Sequence, residues 1–332
     1  MSWSPKFVKY PSTDQFRSVV SDVLKLQDRN NATEPYTVTF TGTVKLHGTN
    51  AAVLWDFNDS HELVCQSRSQ FITPQQDNAG FATFISKAET AMEIKRLMRE
   101  LQPAGSGTII LYGEWCGKGV QAKVAISELP PMFVIFAGLI EPECWISKEQ
   151  LSLLTPDPKT RIFQIFQFPT WVLDIKFKQP ELGIIQNELA KLTTQVEEEC
   201  PVGRHFGVHG VGEGIVWRGS LNGRSLVFKV KGDKHSVTKV KKMASVDVEK
   251  LTSIAEFVEY AATTNRMEQG YTELFGSRVP ENEEVGQFIK WVVADIIKEE
   301  TDTMEAAGIT SKDMGKPVSE LAKKWFFNKL AQ

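Results

Sequence analysis

Thr37-Val38-Thr39-Phe40-Thr41-Gly42-Thr43-Val44-Lys45-Leu46-His47-Gly48-Thr49-Asn50 is the stretch on which the reading of this chain turns. Tyr36, Val38, Phe40 and Val44 alternate with polar residues, the period of a half-buried strand. Lys45 then stands at the strand's end, and Gly48 permits close backbone approach. A lysine held this way is a candidate nucleophile, provided that desolvation or neighbouring positive charge depresses its pKa. K-x-x-G also describes a surface lysine before a turn, so the decision rests on what lies around it.

Upstream, Ser12 and Gln15 form a capping-box pattern, and Phe16, Val19, Val20, Val23 and Leu24 recur at helical spacing, which predicts an amphipathic helix. Downstream, β-rich runs cover 51–55, 63–67, 108–113, 133–140, 214–217 and 226–230, interrupted by a helical pattern at 87–101. This is an α+β pattern of mostly antiparallel sheets with flanking helices, unlike the strict strand and helix alternation of a doubly wound fold. The stretch 141–212 carries no clear period. From Val246 strand signals vanish and helical patterns occupy 248–262, 284–301 and 318–330. The expected division is therefore an N-terminal domain over 1–243 and a small all-helical domain over 244–332.

Composition narrows the class. With 42% hydrophobic and 24% charged residues over 332 positions, the chain has the balance of a soluble globular protein. Its first residues, MSWSPKFVKY, lack the apolar stretch of a secretory signal, and the apolar run 132–140 is too short to cross a bilayer. Cys65, Cys116, Cys144 and Cys200 form no C-x-x-C pair, so a zinc site is not expected and reduced thiols in a cytosolic setting are. Net charge is −3, but from Ala244 onward 16 acidic residues face 10 basic ones, leaving the first 243 mildly basic. Basic residues concentrate at Arg224, Lys229, Lys231, Lys234, Lys239, Lys241 and Lys242, with Asp233 the one acid among them, a run that suits either a solvated face or a phosphate site.

Three further pieces carry chemistry. Gly113-Glu114 ends the strand beginning at Thr108, Glu213-Gly214 opens another, and Lys229-x-Lys231 puts two lysines on one face of a third. Two ammonium groups on an otherwise apolar strand face water or a bound polyanion. Taken in order, these motifs resemble the covalent nucleotidyltransferase superfamily, and the K-x-H-G-x-N form at Lys45 to Asn50 looks like the RNA ligase 2 family of phages and kinetoplastid editing complexes. Arg68 stands where that family has an arginine. Tyr112-Gly113-Glu114-Trp115 is similar to its G-E element, Phe133-Val134-Ile135-Phe136 to its adenine-stacking strand, and the helical tail around Asn265-Arg266 and 293–300 to its C-terminal domain. The likeness thus spans nearly the whole chain. Two positions depart: Ala137 stands where an acid is frequent, and Arg218 where a lysine is usual, which keeps the charge but alters its geometry.

The resemblance implies a nucleotidyltransferase fold of the ATP-grasp-like ligase kind and an ATP-dependent RNA ligase that acts in RNA repair. Lys45 would attack the α-phosphorus of ATP, AMP would pass to an RNA 5′-phosphate, and a 3′-hydroxyl would then expel it. Implied roles are metal binding for Glu213, ribose contact for Glu114, adenine stacking for Phe136 and phosphate binding for Lys229 and Lys231. The carboxylate roles are interchangeable, and Lys229 is also expected to help depress Lys45. His47 and Asn50 would shape the phosphate and metal surroundings, and Arg68 would meet ribose or 5′-phosphate. Leu46 completes the nucleotide-contacting set. Expected ligands are ATP, Mg2+ or Mn2+, and RNA ends, with nicked duplex RNA the expected form; the expected state is a monomer away from membranes. Two other readings compete: a capping-type guanylyltransferase, which usually has aspartate at the position of His47 and a β-barrel in place of the helical tail, and a non-catalytic RNA-binding protein with a relic pocket.

Overall fold

In the computed structural model, residues 5–58, 62–142, 144–178, 181–232, 254–276, 278–306 and 308–331 are described. The strands are β1 (Asp14–Gln15), β2 (Thr37–Lys45), β3 (Thr49–Asp56), β4 (Val64–Ser67), β5 (Phe71–Ile72), β6 (Thr108–Cys116), β7 (Met132–Ile140), β8 (Cys144–Trp145), β9 (Ile162–Gln164), β10 (Thr170–Lys176), β11 (Gly214–Leu221) and β12 (Arg224–Lys231). The α-helices are α1 (Phe16–Arg29), α2 (Phe81–Ile85), α3 (Ala88–Leu101), α4 (Lys148–Ser152), α5 (Glu181–Glu198), α6 (Pro201–His205), α7 (Ile254–Ala261), α8 (Thr264–Phe275), α9 (Val285–Ala306) and α10 (Ser311–Leu330). The expected α+β class with antiparallel sheets and a helical tail is what the chain adopts.

A five-stranded sheet has β12, β11 and β2 in succession across its middle. β11 runs antiparallel to β2 with Gly214 opposite Lys45, Val216 opposite Thr43 and Arg218 opposite Thr41. Alternation therefore puts Lys45, Thr43, Thr41, Val216 and Arg218 on one face. Phe40, Val44, Ile215 and Trp217 take the other face and are buried. Gly42 lies opposite Trp217, where a Cβ would come within 2.9 Å of the indole, so this strand position accepts no side chain.

The second sheet has the order β5-β4-β3-β6-β7-β8, with β9 parallel beside β7. One face packs Val53, Trp55, Ile109, Leu111, Phe133 and Ile135 against Ile94, Leu97, Met98 and Leu101 of α3. Burying each large aliphatic group there contributes about 1.5–3 kcal/mol. On the other face Asn50 stands opposite Glu114, Ala52 opposite Tyr112 and Leu54 opposite Ile110. That face is polar where it nears the end of β2 and apolar beyond, where Val8 and Tyr10 pack on Ala52, Leu54, Ile110 and Tyr112. Between β6 and β7 the register passes from Tyr112 opposite Ala137 to Gly113 opposite Ile135, so Phe136 is the extra residue of a β-bulge. Bulges re-aim side chains, and this one turns Phe136 toward the face of Tyr112 while Ile135 stays in the core.

The predicted first helix forms, but its expected cap does not. α1 begins at Phe16 with Gln15 as N-cap and no side-chain capping bond; the Gln15 amide instead donates to Glu299 Oε2 at 2.7 Å. The stretch without a sequence period, 141–212, divides into short elements, β9 deriving its order from pairing with β7. α8 lies in the expected helical tail but between its periodic stretches; the Thr263 hydroxyl caps it by accepting from Arg266 N–H. Of the helix expected at 248–262, residues 254–261 are helical, while 248–253, Lys234, Lys239, Lys241, Lys242 and the boundary at Ala244 lie outside the described residues.

The chain forms two compact units. One comprises 1–13, 39–173 and 195–229, the other 14–38, 174–194 and 230–332. The second unit has its own core of Phe257, Met267, Phe275, Phe288, Val292, Ile296, Val318 and Phe326. Inside it Arg266, fully buried, donates to Asp295 at 2.9 Å, to Glu300 at 3.1 Å and to the Ala261 carbonyl. Arg17 of α1 reaches the other oxygen of Glu300 at 3.0 Å. Every carboxylate oxygen of Glu300 is thus claimed by a guanidinium, the condition under which a buried charge is tolerated. Among the described residues no helix is long and apolar enough to cross a membrane.

Candidate active site

β2 delivers Lys45 at its last position, and the turn to β3 brings His47 and Gly48 back over β6. Lys45 Nζ lies 2.7 Å from Glu213 Oε2, and His47 Nδ1 lies 3.3 Å from the same oxygen. Glu213 is 3% exposed and Lys45 22%, so the pair is largely withdrawn from water. Gly48 N–H donates to Glu114 Oε1 at 3.0 Å. A Cβ at residue 48 would sit 2.2 Å from the Trp115 carbonyl, which explains the glycine by close approach. Asn50 is register-paired with Glu114, so Lys45, His47, Asn50, Glu114 and Glu213 gather in one place from β2, β3, β6 and the start of β11.

The electrostatics of Lys45 differ from the expectation that its pKa is depressed. Burial is the largest single influence and pulls it down, as does Arg68. Glu213 and Glu114 outweigh both and raise it above the usual lysine value. Lys45 is therefore held as an ammonium group by two carboxylates. Glu114 is pushed up to about 7 by burial and by Glu213, against the pull of Lys45, His47 and the Gly48 N–H.

Arg68 lies exposed in the turn past β4, where Ser67 N–H closes onto the Gln70 carbonyl, close enough to act on Lys45. Leu46 is buried. Lys229 and Lys231 lie half-buried on one face of β12, Leu226, Phe228 and Val230 filling the opposite one, and Lys231 Nζ donates to Gln269 at 3.4 Å. Phe136 is flanked by Tyr10, whose ring centroid is 5.0 Å away, and by Arg218, whose guanidinium carbon is 5.7 Å from the ring centre. Ala137, the second departure from the family pattern, is buried in the apolar cluster with Tyr112. Tyr10 and Thr43 escaped the sequence reading. Tyr10 comes from a segment with no period, and Thr43 acquires its role only through its diagonal neighbour across the sheet, Arg218, which donates to its hydroxyl at 2.8 Å.

The sequence profile of a family described as RNA ligase matches residues 38–231, more than half of the chain. The chain belongs to the RNA ligase family. Three similar solved structures are of the Naegleria gruberi RNA ligase. They are a lysine-to-alanine mutant with ATP and Mn (15% identity, TM-score 0.42), an arginine-to-alanine mutant with ATP and Mn (14%, 0.45) and the enzyme with PPi (14%, 0.42). Each match covers 70% of this chain and 58% of that one. No curated protein matches.

Proposed function

We propose that this protein is an ATP-dependent RNA ligase that joins 3′-hydroxyl and 5′-phosphate RNA ends, sealing nicks in RNA repair. The observation that carries the reading is the convergence of Lys45 and His47 on one buried carboxylate, Glu213, with Glu114 bonded to the turn that carries them. Lys45 attacks the α-phosphorus of ATP and releases pyrophosphate. The resulting lysyl-AMP passes AMP to an RNA 5′-phosphate, and a 3′-hydroxyl attacks that phosphate and releases AMP. Each step is a phosphoryl transfer, governed by positioning and by charge neutralisation. Lys229 and Lys231 bind phosphates, Arg68 meets the ribose or the 5′-phosphate, and Glu114 accepts from ribose hydroxyls. Phe136 stacks on adenine, with Leu46 as a further nucleotide contact. His47 and Asn50 shape the phosphate surroundings.

A divalent ion, magnesium or manganese, fits this donor set. Among the described residues no group of three or more His, Cys, Asp and Glu is arranged to hold one, but magnesium is usually held by one or two carboxylates together with substrate phosphates. Glu213 is the carboxylate for it. When bound, such an ion would neutralise phosphate charge and engage Glu213, which here accepts from Lys45. With Glu213 so engaged, burial and Arg68 would favour the neutral amine of Lys45 against the pull of Glu114.

We assign ATP chemistry to 1–243 and the grip on RNA to 244–332, in a monomer of the cytoplasm; four free thiols, three of them buried, suit that reducing compartment. Incubation with labelled ATP or GTP and magnesium, followed by denaturing electrophoresis, tests the reading. A covalent label from ATP is expected. A label from GTP alone supports capping chemistry, and no label from either rejects a lysyl-nucleotide intermediate.

A further inference from the structure

Glu213 stands one residue before β11, outside the ladder in which Gly214 lies opposite Lys45. The three residues before it are each bonded to a different anchor. Cys200 N–H donates to the Gly210 carbonyl at 2.8 Å, Ala125 N–H donates to the Val211 carbonyl at 2.8 Å, and Gly212 N–H donates to the Val196 carbonyl at 3.1 Å. Val196 lies in the last turn of α5, so its carbonyl is one of those a helix cannot satisfy by itself. Cys200 is the N-cap of α6, and Ala125 opens the 3-10 turn Ala125–Glu128. All three anchors are buried, and all belong to the unit formed by 1–13, 39–173 and 195–229. The approach at Gly212 leaves no room for a side chain. A Cβ there would come 2.4 Å from the Val196 carbonyl oxygen, 2.9 Å from Val196 Cγ1 and 3.3 Å from Cys200 Cα. This backbone clamp ends one peptide short of the carboxylate that meets Lys45 at 2.7 Å.

We propose that Gly212 is a positioning residue for the adenylation step: its N–H on the Val196 carbonyl, with the bonds at Gly210 and Val211, sets where the Glu213 carboxylate stands against Lys45. This rests on the reading of Lys45 as nucleophile and Glu213 as its carboxylate. A side chain at residue 212 must lift the segment off α5. Ordinary contact begins at 3.4 Å, so the oxygen contact alone calls for a shift of about 1 Å, which costs on the order of 10²-fold in a positioned reaction. Glu213 moves with the segment, whereas Lys45 stays in β2. The groups assigned to the nucleotide stand on other elements, Glu114 on β6, Phe136 on β7, and Lys229 and Lys231 on β12. The rate of adduct formation therefore falls while the grip on ATP is kept.

The test is single-turnover transfer of labelled AMP from ATP to the full-length protein at saturating magnesium, with rate constant and amplitude read separately. Gly212→Ala should lower the rate constant at saturating ATP on the order of 10²-fold, keep the amplitude, and leave the half-saturating ATP concentration within about threefold of wild type. Partial unfolding alone does the reverse, removing amplitude and sparing the rate constant. Ala125→Pro is the second variant. Proline suits the first position of a helical turn entered from extended Val124, yet it removes the N–H that holds Val211, so adduct formation should slow in the same manner. If Gly212→Ala does not fold, Ala125→Pro decides. A rate constant within about threefold of wild type, a loss confined to amplitude, or a half-saturating ATP concentration that rises as far as the rate falls overturns the positioning role and leaves the ligase reading in place. A wild type that forms no adduct overturns both.

Discussion

Adding one methyl group at Gly48 should separate the two carboxylates from the turn that carries the lysine. The Cβ of Gly48→Ala would fall 2.2 Å from the Trp115 carbonyl, 2.7 Å from Cys116 Cβ and 3.0 Å from Glu114 Cγ, whereas ordinary contact begins at 3.4 Å. Trp115 and Cys116 cannot retreat, because β6 is hydrogen-bonded to β3 on one side and β7 on the other and both residues are buried. The turn must give, by roughly 1 Å, a displacement that costs about 10²-fold in a positioned reaction. It also lengthens the 3.0 Å bond from Gly48 N–H to Glu114 beyond useful reach. Overpacking of this kind costs about 1–3 kcal/mol, and the melting temperature falls by about 2–4 °C for each. The assay is the rate of labelled AMP transfer from ATP to protein, read beside thermal unfolding. Gly183→Ala is the control, since nothing lies within 4 Å of a Cβ there and the site is helical. If Gly48→Ala forms the adduct within about threefold of wild type, the close approach is not what positions the lysine and the argument fails.

Lys45→Ala should abolish adduct formation, by at least about 10³-fold, yet partly retain sealing of pre-adenylated strands, because that step needs no lysine nucleophile; a surviving adduct on gel would assign the nucleophile elsewhere. Asp77 accepts from Ala82 and Thr83 N–H at 2.8 Å, so it caps α2. Burial would raise its pKa, but these bonds win and hold it below the usual carboxylate value. A depressed folded pKa gives stability that is present above the unfolded value of about 3.9 and lost as pH falls through the folded one, so Asp77→Asn should flatten the fall in melting temperature over that window. Equal slopes for variant and wild type would refute this. Arg266→Met leaves half-buried Asp295 and one oxygen of buried Glu300 without their cation and should cost about 3–5 kcal/mol in urea unfolding followed by circular dichroism; a loss below about 1 kcal/mol would contradict the network. A chain ending at Lys242 should keep adduct formation and seal nicked duplex RNA poorly. It should also melt lower, since Arg17 and Gln15 lose Glu300 and Glu299; sealing at the full-length rate would reject the division of labour.

What the sequence makes legible is whatever a local period or spacing encodes. Alternation from Tyr36 to Val44 identifies β2, so Lys45 at a strand end is readable, as are Glu114 near the end of one strand, which runs on to Cys116, and Glu213 just before another. Three features are closed to such reading for separate physical reasons. The bulge at Phe136 consumes a residue without changing the apolar character of the run, so alternation cannot tell that Phe136 and Ala137 share a face. Arg17 and Glu300 are paired across 283 residues, and nothing in an amphipathic pattern says which distant carboxylate an arginine will meet. The third is the charge state of Lys45. Types and spacing suggested a lysine lowered by its surroundings, but the sign is a contest between burial and two carboxylates, and only distances decide it. That contest also explains the motif's form. Under the proposed chemistry a lysine depressed permanently would be exposed to side reactions, whereas one held as an ammonium by Glu213 would become nucleophilic only when that carboxylate is otherwise engaged. The proposed nucleophile must then touch its carboxylate, and the sheet provides for this: Lys45 ends β2 opposite Gly214, the first residue of β11, with Glu213 just before it.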